Sequence, residues 1–166
     1  MRREIRLIAL DLDGTLLDSQ KRLSVRNEKA LKECIARGIY IVPCTGRIWG
    51  GVPEFLRTLP GIRYAITTNG AIVEDVAEHK ILDERKLGCA QAIDILEMAG
   101  KFHTMYDAYV NGCAYGEKRF LEHVDDYAIP DTIQAMVRQT RQEVPDVVEK
   151  VRALGLTVEK INYFFG

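Results

Sequence analysis

The chain has 166 residues, 47% of them hydrophobic and 28% charged, with a formal net charge of −1. That length suits one globular domain, or one domain with a small appendage. The near-balanced charge excludes a basic footprint for nucleic acid or for an anionic membrane surface. Four scattered cysteines (Cys34, Cys44, Cys89 and Cys113) form no C-x-x-C pair, which argues against zinc and against a disulfide framework. Buried, reduced thiols in a cytoplasmic protein are the expectation. The start, Met1-Arg2-Arg3-Glu4-Ile5-Arg6, is basic, but the apolar stretch behind it is too short for a signal peptide. No run reaches transmembrane length.

In chain order, Leu7 to Leu10 has the branched-aliphatic character of a strand buried on both faces. It runs into Asp11-Leu12-Asp13-Gly14-Thr15, two carboxylates one residue apart followed by a glycine and a hydroxyl. Leu16 to Leu23 alternates loosely and suggests a hairpin-like flap. Ser24 suits the N-cap of a helix from Val25 to Arg37, stopped at Gly38. A second buried strand, Ile39 to Val42, ends in Pro43-Cys44-Thr45-Gly46-Arg47. A helix is expected over about 48–59, weakened by Gly50, Gly51 and Pro53. A third strand, Tyr64 to Thr67, ends in Thr68-Asn69-Gly70-Ala71.

Strands alternating with helices through short loops predict a parallel α/β sheet. Ligands of such sheets bind at the carboxyl ends of the strands, where three polar clusters converge here. After Ala71 the pattern changes. Segments 71–73 and 81–83 suggest a hairpin leading away from the sheet, and Glu84-Arg85-Lys86 reads as a solvated linker. A helix over 88–99 precedes strands over 103–110 and 113–115, joined by an Asn111-Gly112 turn. Helices are expected over 119–127, 132–140 and 147–154, then a strand over 158–165. This second half is α+β, and the expected division is 1–85 and 86–166.

An ionised carboxylate such as Asp11 attacks phosphorus without a base to activate it. Two like charges about 4 Å apart repel by roughly 4 kcal/mol at an effective dielectric near 20. Phosphate approaching Asp11 and Asp13 therefore needs a cation, and Mg²⁺ with oxygen ligands suits the pair. Asp13 can serve as general acid/base. Thr45 and Gly46 offer a hydroxyl and N–H groups to phosphate, and Arg47 adds a forked cation.

Asp11-Leu12-Asp13-Gly14-Thr15-Leu16-Leu17 closely resembles the first signature of the haloacid-dehalogenase superfamily of phosphohydrolases. Thr45-Gly46-Arg47 resembles its second signature. Asn69-Gly70-Ala71 followed by an α+β insertion is similar to the Cof-like sugar-phosphatase branch with a type IIB cap. The resemblance implies a Rossmann-like core with residues 86–166 as an incomplete cap. It also implies Asp11 as nucleophile and Asp13 as acid/base, with Mg²⁺ held by Asp11 and the Asp13 carbonyl. Phosphate or substrate contacts are implied for Leu12, Thr45, Gly46, Arg47 and Asn69. The family's later lysine and Gly-Asp-x-x-Asn-Asp stretch have no counterpart in this sequence. The chain is accordingly expected to be the N-terminal part of a longer phosphatase or the product of a shortened gene. Its first strand would then be an exposed edge, and dimerisation through that edge is expected.

The leading expectation is a Mg²⁺-dependent phosphomonoesterase acting on a small phosphorylated metabolite such as a sugar phosphate, through an aspartyl-phosphate. The alternatives are a phosphomutase of the same fold and a catalytically impaired binding module. A phosphorelay receiver would need an acceptor Asp where this chain has Thr67-Thr68-Asn69. His79, His103 and His123 share no ligand spacing and read as surface residues. Cys44 beside the site reads as a small hydrophobe. Trp49, Tyr106 and Tyr109 are candidates for a substrate cleft, with ordinary packing the competing reading.

Overall fold

The computed structural model describes residues 4–166, without the side chain of Thr132; Met1, Arg2 and Arg3 of the basic start lie outside the described residues. The chain divides into two compact units, Met1–Arg85 and Lys86–Gly166.

The first unit is built on a five-stranded sheet of order β1-β2-β3-β4-β5. Strands β1 (Leu7–Asp11), β2 (Tyr40–Cys44) and β3 (Tyr64–Thr67) run parallel, in a register that aligns Asp11 with Cys44 and Cys44 with Ile66. Between the first two lies α1 (Val25–Ala36), whose Ser24 cap accepts a hydrogen bond from the N–H of Asn27. Gly38, just past its end, takes the left-handed φ of 76° that stops it. The core gathers Leu12, Leu16, Leu17, Leu31, Ile41, Val52, Leu56 and Ile62, with Ile8, Leu10 and Trp49 packed against it.

The structure corrects several expectations in this unit. Strand β1 is not buried on both faces: Leu7 is 53% exposed, and among the described residues β1 is an edge strand hydrogen-bonded to β2. The helix expected over 48–59 is broken. A 3₁₀ turn (Trp49–Gly51) and the single turn α2 (Glu54–Arg57) stand on either side of Val52-Pro53. Proline has no N–H to continue a helix, and Gly50 and Gly51 do not favour one. Strands β4 (Ile72–Asp75) and β5 (Lys80–Glu84) form the expected hairpin, yet they stay in the sheet, β4 antiparallel to β3 and β5 antiparallel to β4.

In the second unit the sheet order is β8-β7-β6-β9. Strands β6 (Thr104–Val110) and β7 (Cys113–Glu117) pair around Asn111 and Gly112, whose φ values of 49° and 72° define a primed turn. Strand β9 (Lys160–Phe165) pairs antiparallel with β6. Helix α3 (Cys89–Ala99) and helix α6 (Val147–Leu154) supply Ala92, Leu96, Val147 and Val151 to the core around Ala108 and Val110. The helix expected over 119–127 is α4 (Lys118–Leu121) followed by a 3₁₀ turn (Val124–Asp126). Helix α5 (Asp131–Thr140) leads directly into β8 (Arg141–Val144), a strand the sequence did not suggest, parallel to β7. Lys86 belongs to no solvated linker. Its side chain is 15% exposed, 3.7 Å from Glu159.

All four cysteines are half-buried and unpaired rather than buried. The three histidines are exposed. No helix among the described residues is long and apolar enough to cross a membrane.

Candidate active site at the strand ends of the first unit

Because β1, β2 and β3 are parallel and in register, their carboxyl ends deliver Asp11, Thr45 and Thr68 to one edge of the sheet. Asp11 is the last residue of β1, and its Oδ2 accepts a 2.7 Å hydrogen bond from the Thr15 hydroxyl. Gly14 makes this contact possible. Its φ of 86° turns the chain back sharply, a conformation that suits glycine. The intervening Leu12 is fully buried in the core. Its side chain is therefore no phosphate contact, and only its main chain can face the site.

Asp13 lies 35% exposed between two cations. Arg47 grips it with a fork, Nε to Oδ2 at 2.9 Å and Nη2 to Oδ1 at 2.7 Å, while Nη1 donates to the Gly51 carbonyl at 2.9 Å. Lys21 Nζ approaches the same Oδ1 at 2.8 Å. The Arg47 fork, helped by Lys21, holds the Asp13 carboxyl down at about 2, against a smaller opposing effect of burial. At neutral pH this group is a carboxylate.

The loops after β2 and β3 are laced together by main-chain hydrogen bonds. Asn69 N–H donates to the Thr45 carbonyl at 3.1 Å, and Thr68 N–H to the Arg47 carbonyl at 2.8 Å. The Thr45 hydroxyl accepts from Arg47 N–H at 3.2 Å, which fixes a buried Thr45 under the loop. Gly46 lies between them. Thr68, Asn69 and Gly70 all have positive φ, at 54°, 59° and 91°. For a β-branched threonine that conformation is costly, of order 1–2 kcal/mol, and such strain concentrates at functional sites. It turns the chain so that exposed Asn69 projects at the same edge.

Thus Asp11, Asp13, Thr45, Arg47 and Asn69 converge, as their order in the sequence suggested. Sequence reasoning missed Thr15 and Lys21. The hydroxyl four residues after Asp11 was a usable signal for Thr15; nothing in the local pattern singled out Lys21. Cys44 is half-buried beside the site, and burial pushes its thiol up, with the Asp11 charge adding to that effect. That environment disfavours a reactive thiolate. Tyr106 and Tyr109 are buried in the second unit, Tyr106 edge-on to Phe120 at 5.0 Å, and Trp49 packs on the first core.

For a divalent cation, the donors at this edge are the Asp11 carboxylate, the Asp13 carbonyl and the Asp13 carboxylate. These hard oxygens fit Mg²⁺ in kind. Among the described residues no cluster of three acidic, histidine or cysteine side chains gathers.

Comparison with known proteins places this geometry in a class. The chain matches the haloacid dehalogenase-like hydrolase family over residues 8–165, nearly its whole length, and belongs to that family, in its Cof-like branch. Phosphatase YwpJ of Bacillus subtilis is 31% identical over 125 residues, covering 73% of this chain and 42% of that protein. The 5-amino-6-(5-phospho-D-ribitylamino)uracil phosphatase YcsE of the same organism is 35% identical over 126 residues, covering 75% and 49%. A solved haloacid dehalogenase-like hydrolase from B. subtilis superposes with a TM-score of 0.69 at 26% identity, covering 88% of this chain and 56% of that one. The chain spans about half the length of the curated relatives it matches.

Proposed function

We propose that this chain carries the nucleophile half of a phosphomonoesterase acting on a small phosphorylated metabolite. The observation that carries the reading is the Asp11 carboxylate, oriented by Thr15, beside an Asp13 already gripped by two cations. Asp11, held through Oδ2, attacks the phosphorus with Oδ1, and an aspartyl-phosphate forms as the alcohol leaves. Asp13 handles the protons, toward the leaving oxygen and then from the attacking water. The Thr45 hydroxyl, Gly46 and Asn69 would contact phosphate oxygens at this edge. Asp11 and the Asp13 carbonyl would hold Mg²⁺, which supplies charge neutralisation at the phosphoryl group.

YcsE and the pyridoxal phosphate phosphatase YbhA of Escherichia coli, which is 27% identical over 158 residues, are named for small phosphomonoester substrates. Those names support the same substrate class here. The exposed apolar edge of β1 supports pairing with a second copy, which light scattering at micromolar concentration would detect.

Hydrolysis of p-nitrophenyl phosphate with Mg²⁺ tests the reading. Asp11→Asn is expected to lose at least about a thousandfold in kcat with its fold intact. Equal turnover by the variant would reject it.

A further inference from the structure

We propose that Lys21 is a phosphate-binding residue of this site, the second cation beside Arg47, delivered by the hairpin that follows the aspartates. The inference rests on the phosphatase reading above and adds a residue to it.

The hairpin is braced to carry a side chain back to the site. Leu17 bridges to both Asp13 and Leu23, and Leu16 and Leu17 are buried beneath it. At its tip the Asp18 carboxylate accepts from the N–H groups of Gln20 and Arg22, both at 2.9 Å, and Lys21 N–H donates to the Asp18 carbonyl at 2.9 Å. Within this turn Lys21 adopts a left-handed φ of 61°, a conformation an ordinary side chain takes at a cost of about 1 kcal/mol. Asparagine or glycine would suit the turn better. The lysine stands there with its ammonium 2.8 Å from Asp13.

The two cations differ in freedom. Arg47 is fixed by Asp13 on one side and the Gly51 carbonyl on the other. Lys21 ends a flexible stem that is 46% exposed. An ammonium has three donors, and its contact with Asp13 needs one, so the others can meet an oxyanion seated against Asp11. Lys21 adds a second positive charge beside Arg47 at an edge where a phosphate dianion would sit, next to whatever charge a bound Mg²⁺ supplies.

Lys21→Asn tests the proposal, because asparagine accepts the left-handed turn while removing the charge. Its KM for p-nitrophenyl phosphate is expected to rise about tenfold or more, the effect of one charge-assisted hydrogen bond, with a smaller fall in kcat. Affinity for inorganic phosphate, measured by calorimetry on the Mg²⁺-loaded full chain, is expected to fall in parallel. Lys21→Arg should restore both to within about threefold of the parent. Unchanged KM and unchanged phosphate affinity in Lys21→Asn would overturn the role of Lys21 while leaving the phosphatase reading standing. If the parent chain turns nothing over, the phosphatase reading fails, and phosphate affinity in the two variants still decides for or against Lys21.

Discussion

The two units each contain an arginine that forks onto an aspartate, and the two pairs do opposite things. Arg47 and Asp13 sit at the open edge of the first sheet, with side chains 24% and 35% exposed. Arg141 and Asp107 sit in the second unit at 4% and 0%, where Nε and Nη2 of Arg141 both donate to Asp107 Oδ2, at 2.9 and 2.7 Å. Asn162 satisfies Asp107 Oδ1 at 2.7 Å, and the Arg141 and Lys160 side chains lie over the Tyr109 ring. Burial pushes the Asp107 carboxyl up, against the pull of Arg141 and Asn162, whereas the fork on exposed Asp13 drives that carboxyl down. One side-chain pair is a fastener. The other is held where an incoming anion can compete for it.

The largest effect expected from this contrast is on the buried pair. Arg141→Met would leave Asp107 buried without its cation, and breaking such a pair costs about 3–5 kcal/mol. Urea denaturation followed by tyrosine signals reads the loss, since the buried ring of Tyr109 lies against the cluster. A loss below about 1 kcal/mol would show that Arg141 fastens nothing. It would also break the comparison.

Arg141 shows what the sequence did not disclose. Strand β8 has only four residues, Arg141 to Val144, with three polar ones in succession, so no alternation marks it. It is a strand because β7 offers it an edge and because Asp107, 34 positions earlier, requires its guanidinium. That is tertiary information. Strand β3, the Ser24 cap and the Asn111-Gly112 turn were legible because propensity, capping and turn chemistry act over a few residues. Among the site residues, Asp11 and Asp13 stood out because two acids closing an apolar run are costly to keep without a purpose. Thr45, Arg47 and Asn69 followed from the rule that parallel strands gather their carboxyl ends. Lys21 did not, since only the folded hairpin brings it back to Asp13. The Leu12 side chain turns into the core, so its expected phosphate contact is left to its main chain.

A smaller effect is expected at the exposed pair. Arg47→Met should change stability at neutral pH by no more than about 1 kcal/mol, as partly exposed ion pairs do. Turnover should fall far more steeply than stability. The pH dependence gives a separate check. Because the folded Asp13 carboxyl lies at about 2, below its ordinary 3.8, its contribution to stability is complete above pH 4 or so and is lost as pH falls toward about 2. Trp49 is the single tryptophan of the chain and lies in the first unit, so its fluorescence follows acid unfolding there. In Arg47→Met that segment of the curve should flatten. A curve identical to the parent's would mean that Arg47 does not hold Asp13 in solution.

The most direct test of the central claim is chemical. The parent chain, turning over p-nitrophenyl phosphate with Mg²⁺, is quenched in acid, digested, and its peptides are mapped by mass spectrometry. One phosphoryl group is expected on the peptide that begins at Leu7, located by fragmentation on Asp11 and absent from Asp11→Asn. A phosphoryl group on any other residue, or continued turnover by Asp11→Asn, would contradict it.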